Sequence, residues 1–342
     1  MECRKCTQVK PNNEFPQDRI TRKCVHKNTF CLKCTIEHLT NHSTCPDCTL
    51  KVHNIDDKVK IYNANLNLRS RAKMNNPLQS GIAMMTVNVR KLDGETKAFQ
   101  FHAKMAIHDL MKEIHQTWNY DPKQQTLLYN KNKLEVLLSG KFATFANYEI
   151  ANGSTLHLVI TLLNIAADLD HAIFDLFWHY NRLAKKNLFI DASCIAFRKN
   201  QTQPACTVDI DQETALGDSI KHSGDDLDRI ECIGHHCLEV KFKHLPEDVT
   251  HLYFVLSAWN VPNMRDYFTS MALNFFDARD IFHPLCNTEL QQEKLDEQAV
   301  IMCYAVKSDD LWQIIEAKIP CGGNVDNYAQ IKAQVAQIHQ TM

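Results

Sequence analysis

Residues 24–48 read CVHKNTFCLKCTIEHLTNHSTCPDC. Two cysteine pairs in this stretch are separated by two residues, and a third pair with the same gap, Cys3 and Cys6, lies near the N-terminus. Seven of the 14 cysteines of the chain therefore fall within the first 48 residues. A segment this short and this poor in aliphatic residues cannot fold on an apolar core alone. Its fold must depend on something that the cysteines bind.

The cysteine-rich segment carries enough ligands for two metal ions. The N-terminus, MECRKCTQVK, lacks the apolar stretch of a secretory signal, so we expect an intracellular chain in which thiols stay reduced. Seven thiolates and one imidazole satisfy two tetrahedral Zn²⁺ sites and leave no open position for a catalytic water. We predict two structural zinc ions. The predicted ligands are Cys3, Cys6, Cys24, His26, Cys31, Cys34, Cys45 and Cys48.

This spacing resembles that of the RING finger, whose half-sites interleave. The resemblance implies two sets of ligands: Cys3, Cys6, Cys31 and Cys34 for one zinc, and Cys24, His26, Cys45 and Cys48 for the other. RING domains act as ubiquitin ligases by docking a charged ubiquitin-conjugating enzyme, and they contribute no covalent chemistry. The resemblance therefore implies no catalytic residue in this chain.

The docking positions of the family are only partly kept. Two of them hold suitable residues, Ile36 and Pro46. The position between the first two cysteines, usually aliphatic, holds Arg4 and Lys5, and Thr49 stands where a cation is usual. These departures leave the activity less well supported than the fold.

Residues 85–163 resemble ubiquitin over nearly its full length. The matching runs are KLDGET at 91–96, PKQQTLL at 122–128, NYEI at 147–150 and GSTLHLV at 153–159. The resemblance implies a β-grasp fold, and the residue pattern predicts a hairpin at Asp93-Gly94 and a helix that ends near Trp118. The conjugatable diglycine tail is missing, so this segment is a built-in domain.

Ubiquitin is recognised mainly through an apolar patch. The residues at the corresponding positions are Leu92, Leu128 and Val159, with His157 alongside. We predict that this patch binds ubiquitin or a ubiquitin receptor such as the proteasome, because exposed apolar clusters mark interaction sites. The alternative is that these residues pack against the neighbouring domain.

Residues 188–340 resemble the TerD family of tellurium-resistance and stress proteins. The resemblance rests on FIDAS at 189–193, HSGDD at 222–226, the run from His251 to Trp259 and Cys321-Gly322-Gly323. It implies a β-sandwich, in which many members bind Ca²⁺ through clustered aspartates. Asp191 is the only aspartate kept before Ala-Ser, and the later acidic run is short, so Ca²⁺ is an alternative that we do not expect here.

The residue pattern also predicts the elements of this C-terminal region. A helical face runs from Ile165 to Leu183, so we predict a helix over residues 165–187. A second helix is predicted around Tyr328 to Ile338. The predicted strands are Leu188–Phe197, Cys237–Phe242, His251–Trp259, Ala272–Ala278, Ala299–Lys307 and Trp312–Ile319.

Composition supports a multidomain globular protein. Its 342 residues suggest two or three domains, and 44% apolar with 23% charged residues excludes a disordered or fibrous chain. No run approaches the roughly 20 apolar residues of a membrane span, so we expect a cytoplasmic protein, with the nucleus as an alternative. Residues 1–164 carry 23 basic and 14 acidic residues (+9), and residues 165–342 carry 15 and 26 (−11). The basic charge is dispersed, so we expect no nucleic-acid partner.

We therefore predict four segments: a RING-type zinc module at 1–50, a linker at 51–84 with a short helix near Val59–Leu68, a ubiquitin-like domain at 85–163 and a TerD-like sandwich at 165–342. The predicted function is that of a RING-type ubiquitin ligase whose C-terminal domain selects a protein substrate or a stress ligand. The alternative is a non-catalytic adaptor of the ubiquitin pathway that works through the apolar patch. A third hypothesis is that the basic half docks on the acidic domain and masks the patch.

Overall fold

The computed structural model describes residues 1–10, 14–16, 18–21, 23–63, 83–181, 189–290, 295–308 and 311–341. The chain divides into two compact units, Met1–Met84 and Met85–Met342. Within its described residues, the first unit has little regular structure apart from helix α1 (Leu32–His42) and a helical segment at residues 55–63.

The first unit folds around two small clusters of buried residues. One contains Cys3, Phe15 and Cys31, and the other joins Leu39 of α1 to Ile20 and Tyr62. Tyr62 lies in the helical segment 55–63 and is only 1% exposed. Part of the predicted linker therefore packs on the Cys/His-rich module, whereas the rest of the helix predicted near Val59–Leu68 lies outside the described residues.

The first part of the second unit is a small sheet packed on one helix. Its strands are β1 (Met85–Lys91), β2 (Thr96–Phe101), β3 (Gln125–Tyr129), β4 (Asn132–Lys133), β5 (Leu137–Leu138), β6 (Lys141–Phe142) and β7 (Thr155–Asn164). Helix α2 (Ile107–Trp118) buries Ile107, Leu110 and Ile114 against the sheet, as its apolar spacing predicts. The turn between β1 and β2 holds Gly94 at φ +88°, a conformation that costs glycine little.

The rest of the second unit is a β-sandwich. Its strands are β8 (His171–Tyr180), β9 (Ile190–Arg198), β10 (Cys206–Val208), β11 (Thr214–Ala215), β12 (Ile220–His222), β13 (Asp226–Asp228), β14 (Ile233–Lys241), β15 (Val249–Ala258), β16 (Phe268–Asp277), β17 (Cys286–Leu290), β18 (Ala299–Ser308) and β19 (Leu311–Cys321). One sheet has the order β11-β12-β14-β8-β16-β17, and the other runs β10-β9-β15-β18-β19 before it continues into β7. Phe174 of the first sheet stacks on Phe254 of the second with ring centroids 3.7 Å apart.

Strand β7 belongs to both parts of the second unit. Its N-terminal half pairs with β1, with Thr155 opposite Asn88, and with β3. Its C-terminal half pairs with β19, where Thr161 lies opposite Ile315. The ubiquitin-like sheet and one sheet of the sandwich are therefore a single hydrogen-bonded sheet, with no loop between them.

The helix predicted over residues 165–187 is wrong, because strand β8 occupies residues 171–180. Side chains alternate along β8, with Phe174, Leu176 and Trp178 fully buried. The intervening residues include Ile173 and Phe177, so the apolar positions fit a helical period as well as an alternating one. These residues form a strand and not a helix because they pair with β14 on one side and with β16 on the other, so both edges of the strand are hydrogen-bonded. Residues 182–187 of the predicted helix lie outside the described residues.

Helix α3 (Ala329–Thr341) covers the outer face of the sheet that contains β19. Ile331, Val335 and Ile338 are buried against apolar side chains of that sheet. The turn before the helix requires Gly323, which has φ +101° and whose Cβ, if present, would lie 2.8 Å from the Asn327 carbonyl oxygen. The sheet is therefore sandwiched between its partner sheet and this helix.

Candidate metal centres and binding surface

The first candidate metal centre joins the N-terminal knuckle, the tight turn that carries Cys3 and Cys6, to the start of α1. Cys3, Cys6, Cys31 and Cys34 bring four sulfur atoms within 4.8 Å of one another. A tight turn presents the first two, since the Cys3 amide donates to the Gln8 carbonyl at 3.0 Å and Thr7 takes a left-handed φ of 54°. Cys31 immediately precedes α1, and its amide donates to the Cys3 sulfur at 3.2 Å. Four thiolates in this arrangement fit a structural zinc.

The second candidate centre consists of Cys24, His26, Cys45 and Cys48, whose ligand atoms also lie within 4.8 Å of one another. The His26 Nε2 atom is 3.1 Å from the Cys48 sulfur, and its Nδ1 atom is 3.0 Å from the Lys27 carbonyl oxygen. Nδ1 therefore carries the proton that it donates to that oxygen, which leaves the Nε2 lone pair for a metal. This tautomer is the one that a zinc-binding histidine needs.

The two centres alternate along the chain. The first and third ligand pairs form one centre, and the second and fourth form the other, which is the pairing that the RING resemblance implies. Asp47, inside the last pair, accepts hydrogen bonds from the backbone amide and the hydroxyl of Thr29. This contact ties the last knuckle to the loop that separates His26 from Cys31. The two clusters can thus hold two zinc ions on one interlocked scaffold.

The predicted docking residues lie beside these centres. Ile36, on α1, is half-buried against the cluster that contains Leu39, and Pro46 is half-buried in the last knuckle. Lys5 forms a 3.0 Å ion pair with Glu37, the neighbour of Ile36. The charged residue at the first docking position is thus partly neutralised by a residue of α1. The docking role of Ile36 and Pro46 stays a prediction.

The predicted apolar patch faces the sandwich. Leu92 and Leu128 are half-buried and pack against the cluster under α3, which is the apolar cluster that joins Ile331, Val335 and Ile338 to the sheet. Val159 belongs to that cluster and is only 6% exposed. His157 is the exposed member of the set. The contact between the patch and the sandwich is mainly apolar. The hypothesis that the basic half docks on the acidic domain expected a contact driven by opposite charges instead. The binding role of the patch stays a prediction, and in this conformation it offers less free surface than the ubiquitin resemblance implies.

A polar network at the same junction was not predicted from the sequence. The Glu316 carboxylate of β19 accepts hydrogen bonds from Tyr120 at 2.5 Å and from Thr288 at 2.7 Å, and Lys318 lies 2.8 Å away. Burial acts to raise the pKa of Glu316, but Lys318 and the two hydroxyls outweigh it and hold the pKa below its usual range. Tyr120 and Glu316 are 196 residues apart, so no local pattern could have revealed the contact.

Of the aspartates expected from the TerD resemblance, Asp225 is engaged by a protein group, whereas the Oδ2 atom of Asp191 is buried with no hydrogen-bond partner in the described part of the chain. The Asp225 carboxylate accepts from His236 Nε2 at 2.9 Å, and Asp209 accepts from the Tyr328 hydroxyl at 2.9 Å. His236 Nδ1 in turn accepts the Ala192 amide, so this ring is neutral, and burial lowers its pKa to about 4. Within the described residues, no three metal-ligand atoms of this cluster come within 4.8 Å of one another. The expectation that this cluster does not bind Ca²⁺, which takes six to eight oxygen ligands, stays a prediction.

The fold and these sites define a multidomain protein with a Cys/His-rich N-terminal region, a ubiquitin-like part and a β-rich C-terminal part. Residues 87–163 match the Ubiquitin family, and residues 158–320 match the TerD domain. The chain therefore contains a ubiquitin-like domain and a TerD domain. The two matches overlap at residues 158–163, within the shared strand β7.

Comparisons with curated proteins and with solved structures add little about this chain. No curated protein matches the chain. A solved structure, described as the crystal structure of the unknown-function protein SAV2460, is similar at 12% identity and a TM-score of 0.37, covering 44% of this chain and 92% of that one. In the part of the chain that the structure describes, no helix is long and apolar enough to cross a membrane.

Proposed function

We propose that this protein is a RING-type ubiquitin ligase. The observation that carries the proposal is the interleaving of eight Cys and His side chains, all within residues 3–48, into two groups of four ligands. The ubiquitin-like domain in the same chain supports a role in the ubiquitin pathway. In this proposal, two zinc ions are structural, and a charged ubiquitin-conjugating enzyme docks at Ile36 and Pro46.

Such a ligase works by positioning. It holds the thioester of the charged conjugating enzyme in a reactive conformation, which lowers the entropic cost of the attack by a substrate amine. No side chain of this protein is proposed to form a covalent bond. The TerD domain would select the protein substrate or stress ligand, and the reaction would take place in the cytoplasm or the nucleus.

A non-catalytic adaptor is the second candidate. It is favoured by the Lys5–Glu37 ion pair, which puts two charges where a conjugating enzyme would need an apolar contact. It is disfavoured by the burial of Val159 and the half-burial of Leu128, because this candidate works through the apolar patch. The ligase is therefore the function that we favour.

Self-ubiquitylation of the full chain with a panel of conjugating enzymes tests the proposal. The wild type is expected to form ubiquitin conjugates with at least one of them and to bind two zinc ions. Cys31→Ala should lose the activity and one of the two zinc ions, whereas Cys206→Ala, at a half-buried cysteine outside the clusters, should keep the activity and both zinc ions. Two bound zinc ions with no activity toward any conjugating enzyme would contradict the ligase and favour the adaptor.

The docking surface can be tested separately. Ile36→Ala is expected to lower the activity about tenfold with the zinc content unchanged, because truncating a contributing interface residue costs about 1–2 kcal/mol. Lys33→Ala, at an exposed position on the same helix, is the matched control and should leave the activity unchanged. Equal activity of the two variants would remove Ile36 from the proposed docking surface.

A further inference from the structure

The TerD domain contains a pocket of about 410 Å³ beside the last turn of helix α3. Its walls come from three distant parts of the chain: Lys199 and Gln201 in the turn after β9, Thr250 and His251 at the start of β15, and His339 of α3. This volume lies within the range of small-molecule sites, about 300–1,000 Å³. We refer to it as the α3-end pocket.

A β-bulge brings two consecutive side chains into this pocket. The register of β15 against β9 shifts between Val249 and His251, so Thr250 has no residue opposite it in β9. Consecutive residues of a regular strand face opposite sides of a sheet, but at this bulge Thr250 and His251 both line the pocket. The Thr250 hydroxyl lies 2.9 Å from His251 Nδ1, so the two side chains form one polar unit. Bulges often lie beside active sites, where they redirect a side chain in this way.

The turn that carries Lys199 is fixed by hydrogen bonds. The Lys199 amide donates to the Asp248 carbonyl oxygen at 2.7 Å, and the Gln201 amide donates to the Arg198 carbonyl oxygen at 3.2 Å. His339 donates a hydrogen bond to the Gln201 backbone, which ties the turn to α3. The walls of the pocket are therefore in place before a ligand arrives, and this lowers the entropic cost of binding.

The α3-end pocket is positively charged within an acidic domain. Residues 165–342 carry 15 basic and 26 acidic residues, yet among the described residues the pocket lining includes two lysines, Lys199 and Lys307, and no acidic side chain. The nearby Asp248 carboxylate is paired with Arg198 at 2.5 Å, so its charge is already balanced. Lys307 is engaged within the protein, so Lys199 is the cation that we expect to meet a ligand.

The two histidines of the pocket are neutral near pH 7. Their rings are nearly perpendicular, with centroids 4.4 Å apart. Burial, together with the nearby His339, lowers the pKa of His251 to about 4, and burial also lowers the pKa of His339. A neutral imidazole still has one N–H to donate. An anion in the pocket would accept hydrogen bonds and would favour the protonated form of His251.

We infer that the α3-end pocket binds the phosphate group of a phosphate monoester. Such a group is close to a dianion at pH 7, and its three terminal oxygens are strong hydrogen-bond acceptors. They would accept from the Lys199 ammonium and from the polar unit of Thr250 and His251. The inference concerns the TerD domain alone and does not rest on the proposed ligase activity.

Calorimetric titration of the full, zinc-loaded chain tests this inference. The probes are glycerol 3-phosphate, a peptide that carries one phosphoserine, the same peptide without phosphate, and malonate, a dianion with flat carboxylates. At least one of the two phosphate monoesters is expected to bind, and more tightly than malonate. The tighter of the two identifies the source of the ligand, a small metabolite or a phosphorylated protein.

A matched pair of variants locates the site. Lys199→Glu should weaken the binding of the tighter monoester by at least about tenfold, because it removes a charge-assisted hydrogen bond. Lys243→Glu, which makes the same charge change at an exposed position of the TerD domain outside the pocket, should leave the affinity unchanged.

The histidine ring signals provide a second readout, by nuclear magnetic resonance. The bound monoester should raise the pKa of His251 above its value of about 4 in the free protein, since a dianion favours the imidazolium. Thr250→Val, which removes the hydroxyl and keeps the shape, should weaken binding while the thermal transition of the protein is unchanged.

Several results would overturn the inference. These are no binding of either monoester, equally tight binding of malonate or of the unphosphorylated peptide, equal affinities for Lys199→Glu and Lys243→Glu, and a His251 pKa that the ligand leaves unchanged. None of these measurements depends on ubiquitin transfer, so they can fail while the ligase proposal stands.

Discussion

A single hydrogen bond sets the chemistry of the second candidate metal centre. The Lys27 carbonyl oxygen, 3.0 Å from His26 Nδ1, fixes the tautomer whose Nε2 atom faces Cys45 and Cys48. Sequence spacing predicted His26 as a ligand, but only the folded loop shows which nitrogen has a free lone pair. The ligand and its supporting carbonyl are consecutive residues, so the loop provides both parts of the site.

His26 leads to the first prediction. His26→Cys should keep two zinc ions per chain, because a thiolate is an equally good zinc ligand at that place. His26→Ala should bind one zinc, since three ligands remain at its centre. Zinc content by elemental analysis of purified protein measures the difference. If His26→Ala still bound two zinc ions, His26 would not be a ligand.

Asp191 provides a prediction on pH. It is 6% exposed, and burial, with repulsion from Asp225 and Asp209, raises its pKa to about 7. An aspartate in an unfolded chain has a pKa of about 3.9, so the folded state binds the proton more tightly than the unfolded state does. The contribution of Asp191 to stability is therefore present below pH of about 4 and is lost as the pH rises through about 7.

Asp191→Asn should remove this part of the pH dependence. Between about pH 5 and about pH 8, the wild type is expected to lose roughly 2 kcal/mol of stability relative to the variant. Urea unfolding at both pH values measures it, with Asp266→Asn, at an exposed position, as the control. Parallel pH profiles for the wild type and Asp191→Asn would show that this carboxyl is ionised in both states.

At the scale of elements, the shared strand β7 determines how the ubiquitin-like domain is presented. Its last residues, where free ubiquitin has a tail, pair with β19 of the TerD domain. The same pairing brings Leu92, Leu128 and Val159 against the cluster beneath α3. The patch is therefore partly covered as a consequence of strand pairing.

Thr161→Pro tests this coupling. Thr161 pairs with Ile315, and proline cannot donate a hydrogen bond to the ladder, so the variant should be destabilised by more than about 2 kcal/mol. Thr161→Val, which keeps the amide and a β-branched side chain, should stay within about 0.5 kcal/mol of the wild type. Urea unfolding measures both, and limited proteolysis should cut Thr161→Pro faster near residue 161. Equal stability of Thr161→Pro and Thr161→Val would mean that the β7–β19 pairing contributes little.

At the scale of the whole molecule, we expect the two units to owe their stability to different sources. The clusters of the first unit are small and contain most of its predicted metal ligands, whereas the second unit buries a large apolar core of its own. Structural zinc supplies folding free energy directly in small modules. Metal removal should therefore affect the two units very differently.

Chelation is the corresponding experiment. A strong zinc chelator should unfold the first unit and make residues 1–63 sensitive to protease, while residues 85–342 keep their β-sheet circular dichroism and their thermal transition. Zinc added back should restore protection. Loss of the thermal transition of the second unit after chelation would contradict this separation.

Sequence alone was sufficient where the decisive residues are close together in the chain. The paired cysteines, the Asp93-Gly94 turn and the apolar spacing of α2 each depend on neighbours a few residues away, and the structure has them as predicted. Tertiary structure decided the rest. It made β8 a strand by pairing both of its edges, extended β7 into the sandwich and partly covered the ubiquitin-like patch with α3. The partners of β8 lie more than 50 residues away in β14 and β16, and the other two outcomes depend on partners such as Ile315 and Ile338, more than 150 residues from the segments that they contact. No local pattern encodes contacts over these separations.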